Sequence, residues 1–169
     1  VMRYGITGCS LGQLIVGWSG NGLCAIELGD SEEQLLALLH AHFPHQTFEP
    51  ADSEDSGMLA RVARFIDEPA GTLEHPLAPE GTTFQRDVWQ ALQSIPPGRT
   101  VSYSDVARMI GKPKAVRAVA SACGANRLAV VIPCHRVVRA DGGLGGFHWG
   151  LERKKALLNR EATLAANGS

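Results

Sequence analysis

The chain has 169 residues, 44% of them hydrophobic and 20% charged, with a formal net charge of −1 at pH 7. That is enough for one large or two small globular domains, and it excludes a disordered chain. No stretch approaches the roughly 20 apolar residues of a membrane-spanning helix, and no basic segment leads into an apolar one as in a secretory signal. The expected compartment is therefore the cytosol, where Cys9, Cys24, Cys123 and Cys134 stay free thiols.

The first 29 residues read as two or three antiparallel strands. Ile6, Leu14–Val16 and Leu23–Ile26 are short apolar runs, and Ser19-Gly20-Asn21-Gly22 is a hairpin signal. Asp30 or Ser31 caps a helix with Glu32 and Glu33 in its first turn and Leu35, Leu38, Leu39 and His42 on one stripe, stopped by Pro44. His40, His42 and His45 lack a nearby Cys or paired carboxylate at ligand spacing, so they read as surface or helix-end histidines. Cys9 and Cys24, facing each other across the hairpin, are two thiols without further ligands and a poor zinc site. Residues 44–56 read as polar loop. A second helix carries Leu59, Val62, Ala63 and Ile66 and ends before Pro69; residues 69–81 read as a linker.

Beyond the linker the pattern turns helical. Thr82 or Thr83 caps a helix with Phe84, Val88, Leu92 and Ile95 as its seam, ended by Pro96-Pro97-Gly98. Ser102 and Asp105 have the spacing of a capping box for a helix carrying Val106, Met109 and Ile110, which breaks at Gly111-Lys112-Pro113. A further helix runs from Lys114 to about Gly124, with Val116, Val119, Ala120 and Cys123 inward. Helix, tight Gly turn and basic helix is the layout of a helix-turn-helix. Its outward face, Lys114, Arg117, Ala118, Ser121 and Ala122, is mostly small, which permits close backbone approach to a partner. Leu128–Ile132 reads as a buried strand leading into Pro133-Cys134-His135-Arg136. A Gly-rich loop then carries Phe147, His148 and Trp149. The last helix is expected from about Leu151 to Asn159, with Glu161 at its end and 162–169 as a frayed tail.

The near-zero net charge hides a split. Residues 1–80 hold 12 acidic and 3 basic side chains, residues 81–169 hold 5 and 13, and Asp105 is the one acid from Arg99 to Ala140. A basic half of this kind is the footprint of a polyanion-binding surface. Within it, Cys134 lies next to a histidine and an arginine, surroundings that lower a thiol's pKa and prepare a nucleophile. On an extended strand neighbouring side chains point to opposite sides, so His135 reaches Cys134 only through a bend or a water.

The series Gly98-x-Thr100-Val101-Ser102-Tyr103, Gly111-Lys112-Pro113-x-Ala115-Val116-Arg117-Ala118-Val119, Asn126 and Ile132-Pro133-Cys134-His135-Arg136-Val137-Val138 resembles the O6-alkylguanine-DNA alkyltransferase family. The resemblance is dense from about residue 80 to 161 and weaker back to about residue 3. It implies an α/β chain with an N-terminal RNase H-like domain (antiparallel sheet plus helices, residues 1–80 with the linker). A C-terminal winged-helix-like, helix-turn-helix domain (81–169) would follow.

The implied activity is single-turnover transfer of the alkyl group of O6-alkylguanine, and of O4-alkylthymine, in double-stranded DNA to Cys134 after the base is flipped out. Carried over by residue, His135 takes the thiol proton through a water, Glu161 orients it, Tyr103 donates toward N3 of the purine and Asn126 braces the turn. Arg117 enters the base stack from the minor groove, with Tyr103, Lys114, Ala118, Ser121 and Arg136 also at the DNA. Pro133, Phe147, His148 and Trp149 form the substrate pocket. Phe147 stands where many members have tyrosine, His148 where some have a donor to O6, and bulky Trp149 where some have glycine, so methyl is expected to react better than benzyl. No metal or organic cofactor is needed, because a thiolate supplies the attack.

The expected protein is a cytoplasmic, nucleoid-associated monomer. Two other readings are a non-catalytic winged-helix binder of alkylated DNA, which Cys134 with His135, Asn126 and Glu161 disfavours, and a Cys-His hydrolase, which leaves the basic helix-turn-helix unexplained. The chain opens on Val1, where the C-terminal half of longer members begins, which leaves two readings open: a complete protein, or one half of a regulatory protein with a zinc-containing first part.

Overall fold

A computed structural model describes residues 1–68 and 73–167. The chain divides into two compact units, one of Val1–Glu80 with Arg127–Ala129, the other of Gly81–Asn126 with Val130–Ser169.

In the first unit, strands β1 (Met2–Cys9), β2 (Gly12–Ser19) and β3 (Gly22–Gly29) form the antiparallel sheet that the hairpin signals predict, with Ile6 opposite Ile15 and Leu14 opposite Leu28. Helix α1 (Glu32–His42) starts at Ser31, whose side chain accepts from the Gln34 amide. The segment read as loop also holds a short strand, β4 (Phe48–Pro50), parallel to β1, which gives the order β3-β2-β1-β4. Helix α2 (Ser56–Asp67) follows.

The period-2 alternation of β1 decides where the helices lie. Met2, Tyr4 and Ile6 pack with Ile15, Leu35 and Leu39 beneath α1, while Gly5 between them faces Leu59 of α2. The sheet is thus covered on both faces, and every residue of β3 is buried. Because β2 separates β1 from β3, Cys9 and Cys24 do not face each other across a hairpin. His42 is the last residue of α1, in keeping with a helix-end histidine. Its Nδ1 lies 2.8 Å from the buried Glu27 carboxylate, and burial, with Arg127, pulls its pKa down to about 4.

Of the linker read over 69–81, residues 69–72 lie outside the described residues. The part beyond is tied down, since Leu23 N donates to Pro76 O and Ala78 N to Leu23 O. The expected strand over 128–132 is also absent. Leu128 makes a single bridge to Ile26 and the chain then turns, with Val130 at φ 70°.

In the second unit, α3 (Thr83–Leu92) begins at a capping box of Thr82 and Gln85 and buries Val88, Trp89 and Leu92. Trp89, absent from the expected seam, donates its indole N–H to Ala122 O at 2.8 Å. Strand β5 (Val101–Ser102) pairs in parallel with β6 (Val137–Val138). Helix α4 (Tyr103–Met109) has the expected Ser102–Asp105 capping box, and Gly111, at φ +75°, makes the turn toward α5 (Val116–Gly124). Met109 is exposed. Helix α6 (Leu151–Asn167) is eight residues longer than expected, so 162–167 are helical; the last two residues of the expected tail lie outside the described residues.

Candidate active site

Cys134 is the first residue of a 3-10 turn, Cys134–Arg136, rather than the end of a strand. This supplies the bend that a Cys-His partnership needs. Asn126, itself buried, holds the turn by donating from Nδ2 to Ile132 O at 2.9 Å and to Cys134 Sγ at 3.3 Å. Cys134 is 5% exposed and lines a pocket of about 350 Å³ together with Tyr103, Ala120, Cys123, Gly124, Gly146, Phe147 and His148.

Behind the turn, His135 Nε2 lies 2.8 Å from Glu161 Oε2. Glu161 comes from the middle of α6 rather than from its end, on the buried stripe of Lys154, Leu157 and Glu161 that 3- and 4-residue spacing creates. Burial works to raise the Glu161 carboxyl, but hydrogen bonds from His135 and Arg136 outweigh it and take it down to about 2. Burial likewise lowers His135 against the opposing pull of Glu161, so the ring is neutral at pH 7. A carboxylate acceptor fixes the proton on Nε2, which leaves Nδ1 as the basic nitrogen; it makes no hydrogen bond to the protein.

Arg136 is not at a DNA-facing surface. It is buried, pairs with Glu161 at 2.9 Å through Nε and Nη2, and donates from Nη1 to Ile95 O. The expected lowering of the Cys134 pKa is also reversed. Burial pushes the thiol up to about 11, against smaller opposing effects from the Asn126 hydrogen bond and the Lys154 charge. Arginine's charge is committed to Glu161, so the sequence neighbour that suggested a positive environment does not provide one.

Lys154 is the residue that sequence reasoning missed. Wholly buried, it donates from Nζ to Val137 O, Leu144 O and Gly146 O at 2.7, 2.5 and 3.0 Å, tying the Gly-rich loop to β6. A lysine is rarely fully buried, so its type gave no signal. Cys123, read as a plain core residue, also lines the pocket.

The tyrosine is held closely. Gly145 has φ +72°, and a side chain there would bring its Cβ within 2.6 Å of the Tyr103 hydroxyl. Burial raises the Tyr103 pKa, so it is a phenol at pH 7 and a hydrogen-bond donor. Phe147 packs edge-to-face on His135 and on Trp149. Trp149 and Pro133 are buried and are not among the lining residues, so neither directly walls the pocket as expected.

On α5 the buried residues are Val119, Ala122 and Cys123, while Ala120 is exposed, the reverse of the expected Ala120-in, Ala122-out pattern. Lys114, Arg117, Ala118 and Ser121 are exposed, as the spacing predicts.

The family model for the 6-O-methylguanine DNA methyltransferase DNA-binding domain matches residues 83–163. The chain is 53% identical over 161 residues to the regulatory protein ada of Salmonella typhimurium, covering 95% of this chain and 46% of that protein. The bifunctional transcriptional activator/DNA repair enzyme Ada of Escherichia coli is 50% identical with the same coverage, so the chain spans about half the length of these two relatives. It is 40% identical over 148 residues to a methylated-DNA–protein-cysteine methyltransferase of Salmonella typhimurium, covering 84% of each. Among solved structures, Mycobacterium tuberculosis OGT in complex with DNA is similar at a TM-score of 0.80 and 32% identity, covering 95% of this chain and 93% of that one. Coverage of that kind over most of both chains leaves one conclusion: this chain belongs to the methylated-DNA–protein-cysteine methyltransferase family.

Proposed function

We propose that the chain repairs double-stranded DNA by taking the alkyl group of O6-alkylguanine, and of O4-alkylthymine, onto Cys134 in a single irreversible turnover. The observation that carries this is Cys134 itself, a buried sulfur held by Asn126 at the floor of a pocket, with the neutral His135 and ionised Glu161 behind it. A sulfur so placed cannot reach a base that stays stacked, so the damaged base must be flipped out.

In the proposed reaction His135 Nδ1 takes the thiol proton through a water, and Glu161 stabilises the imidazolium that forms. The sulfur attacks the O6-alkyl carbon, the carbon–oxygen bond breaks, and its electron pair leaves on guanine. Tyr103, as a phenol, supplies a proton at N3 of the leaving purine. The product is a thioether, which offers water no electrophile comparable to a thioester, so each molecule acts once. No cofactor has a step in this scheme.

The exposed α5 face supports minor-groove binding: Ala118 and Ser121 permit close approach, Arg117 serves as the wedge in the base stack, and Lys114 faces a phosphate. The chain acts as a monomer on DNA in the cytoplasm. To test this reading, the protein is incubated with duplex carrying O6-methylguanine and weighed. One added methyl group on the Cys134 peptide, absent from Cys134→Ser, is expected; binding without a mass change would overturn it.

A further inference from the structure

The proposed reaction uses one of the two thiols that line the pocket and leaves Cys123 without a role. Both are free and buried, Cys123 at 8% and Cys134 at 5% exposure. Ala120, Cys123 and Gly124 stand three and four residues apart on α5, so helical spacing brings all three to the pocket that Cys134 lines from the 3-10 turn.

One residue spans the two cysteines. Asn126 donates from its backbone N to Cys123 O at 3.2 Å and from Nδ2 to Cys134 Sγ at 3.3 Å. Their nearness also shows in charge, since burial first, and then an ionised Cys134, push the Cys123 thiol up to about 12. Cys123 is therefore a thiol and not a thiolate at neutral pH, a nucleophile that stays idle until a strong electrophile is placed beside it.

Alkyl transfer places one there when the alkyl group carries a leaving group on its second carbon. A 2-chloroethyl group moved from O6 to Cys134 becomes a β-chlorothioether. Its sulfur lone pair displaces chloride from the neighbouring carbon and gives a three-membered episulfonium ion, which water, DNA or a second thiol opens.

Resting on the alkyltransfer reading above, we propose that the pocket has a second activity toward O6-(2-haloethyl)guanine, in which Cys123 captures the second carbon and closes an ethylene bridge between the two sulfurs. The Cys123 sulfur bonds to that carbon as the ring's carbon–sulfur bond breaks, its electron pair returning to the Cys134 sulfur. Halide and the Cys123 proton leave to solvent. No oxidant is consumed, and a two-carbon bridge asks for less approach of the sulfurs than the direct bond of a disulfide. The half-mustard is thus consumed inside the protein, before it alkylates the DNA that delivered it.

The test uses the full wild-type chain and duplex DNA freshly treated with a 2-chloroethylating nitrosourea and freed of reagent, with an O6-methylguanine duplex in parallel. The DNA-free protein is unfolded, its remaining thiols are capped with iodoacetamide, and the Cys134 peptide is mapped by mass. A bridge consumes two thiols and leaves Cys9 and Cys24 for the cap, whereas hydrolysis of the half-mustard consumes one and leaves three. The bridged form is expected to exceed the 2-hydroxyethyl form about tenfold or more, the advantage over solvent of a nucleophile held beside its electrophile. In Cys123→Ala, with each product scored against total modified Cys134, the bridge should vanish and the 2-hydroxyethyl form take its place. Wild type that carries mainly 2-hydroxyethyl on Cys134, or a bridge to Tyr103 or His148, would overturn the capture by Cys123 and leave the alkyltransfer reading standing. Wild type that takes neither methyl nor chloroethyl carbon onto Cys134 would overturn the alkyltransfer reading, and the capture with it.

Discussion

At the scale of single residues, burial keeps the proposed nucleophile, Cys134, a neutral thiol, so the proposed reaction needs a base to activate it. Burial, which places the Cys134 pKa near 11, outweighs the Asn126 and Lys154 contributions. Alkylation of the free protein by iodoacetamide, read on the Cys134 peptide, should therefore be slow at pH 7 and rise with pH toward about 11. A midpoint below the ordinary value of 9.0 would contradict it. The sequence pointed to Cys134 because proline, histidine and arginine flank it, but not to the direction of its shift. Burial and the commitment of Arg136 to Glu161 depend on a helix 25 residues away. The Glu161 carboxyl also links stability to pH. Its folded pKa is depressed from 4.5 to about 2, so its stabilisation is complete above 4.5 and is lost as pH falls toward 2. Glu161→Gln should flatten the acid limb of a denaturant-midpoint profile and, by leaving Arg136 buried without its partner, cost about 3 kcal/mol or more at pH 7.

At the scale of elements, the capping box at Ser102 and a cap at Thr82 or Thr83 were legible because a cap is a contact across three residues; the Gln85 half of the box at Thr82 was not read. β4 and the 3-10 turn at Cys134 were not, since three-residue elements have no period and are fixed by distant partners. On α5 the alanines were hard to sort, because Ala120 and Ala122 carry equal hydrophobic signal, and the buried side is set by packing partners such as Trp89 of α3, which donates to Ala122 O. The exposed Arg117 gives a clean expectation: Arg117→Ala should slow repair of duplex more than reaction with free base, which needs no extrusion, and equal losses would remove the wedge role. Lys154 carries the loop. Lys154→Met leaves the buried Val137 carbonyl and two part-buried carbonyls without their donor, so a loss of about 1–3 kcal/mol in denaturant unfolding is expected, together with slower methyl transfer.

At the scale of the whole molecule, the charge split between residues 1–80 and 81–169 was readable by counting, but the route of the chain was not. Arg127–Ala129 belong to the first unit, where Ile26 N donates to Arg127 O and Ala129 N donates to Ile26 O. Leu128 and Ala129 are wholly buried there. Truncating Leu128 removes apolar area buried within the first unit, so Leu128→Ala should lower the denaturant midpoint of the full chain; an unchanged midpoint by circular dichroism would contradict this.

If His135 activates a thiol that is neutral at rest, the single-turnover methyl-transfer rate of the wild-type protein carries the signature of that base in its dependence on pH. The His135 pKa is lowered from 6.5, so its base form is already complete near neutrality. The expected rate falls only on the acid side and is flat from about pH 7 to 9. A rate that climbs about tenfold per pH unit through that range, as hydroxide removal of a proton with a pKa near 11 requires, would contradict it.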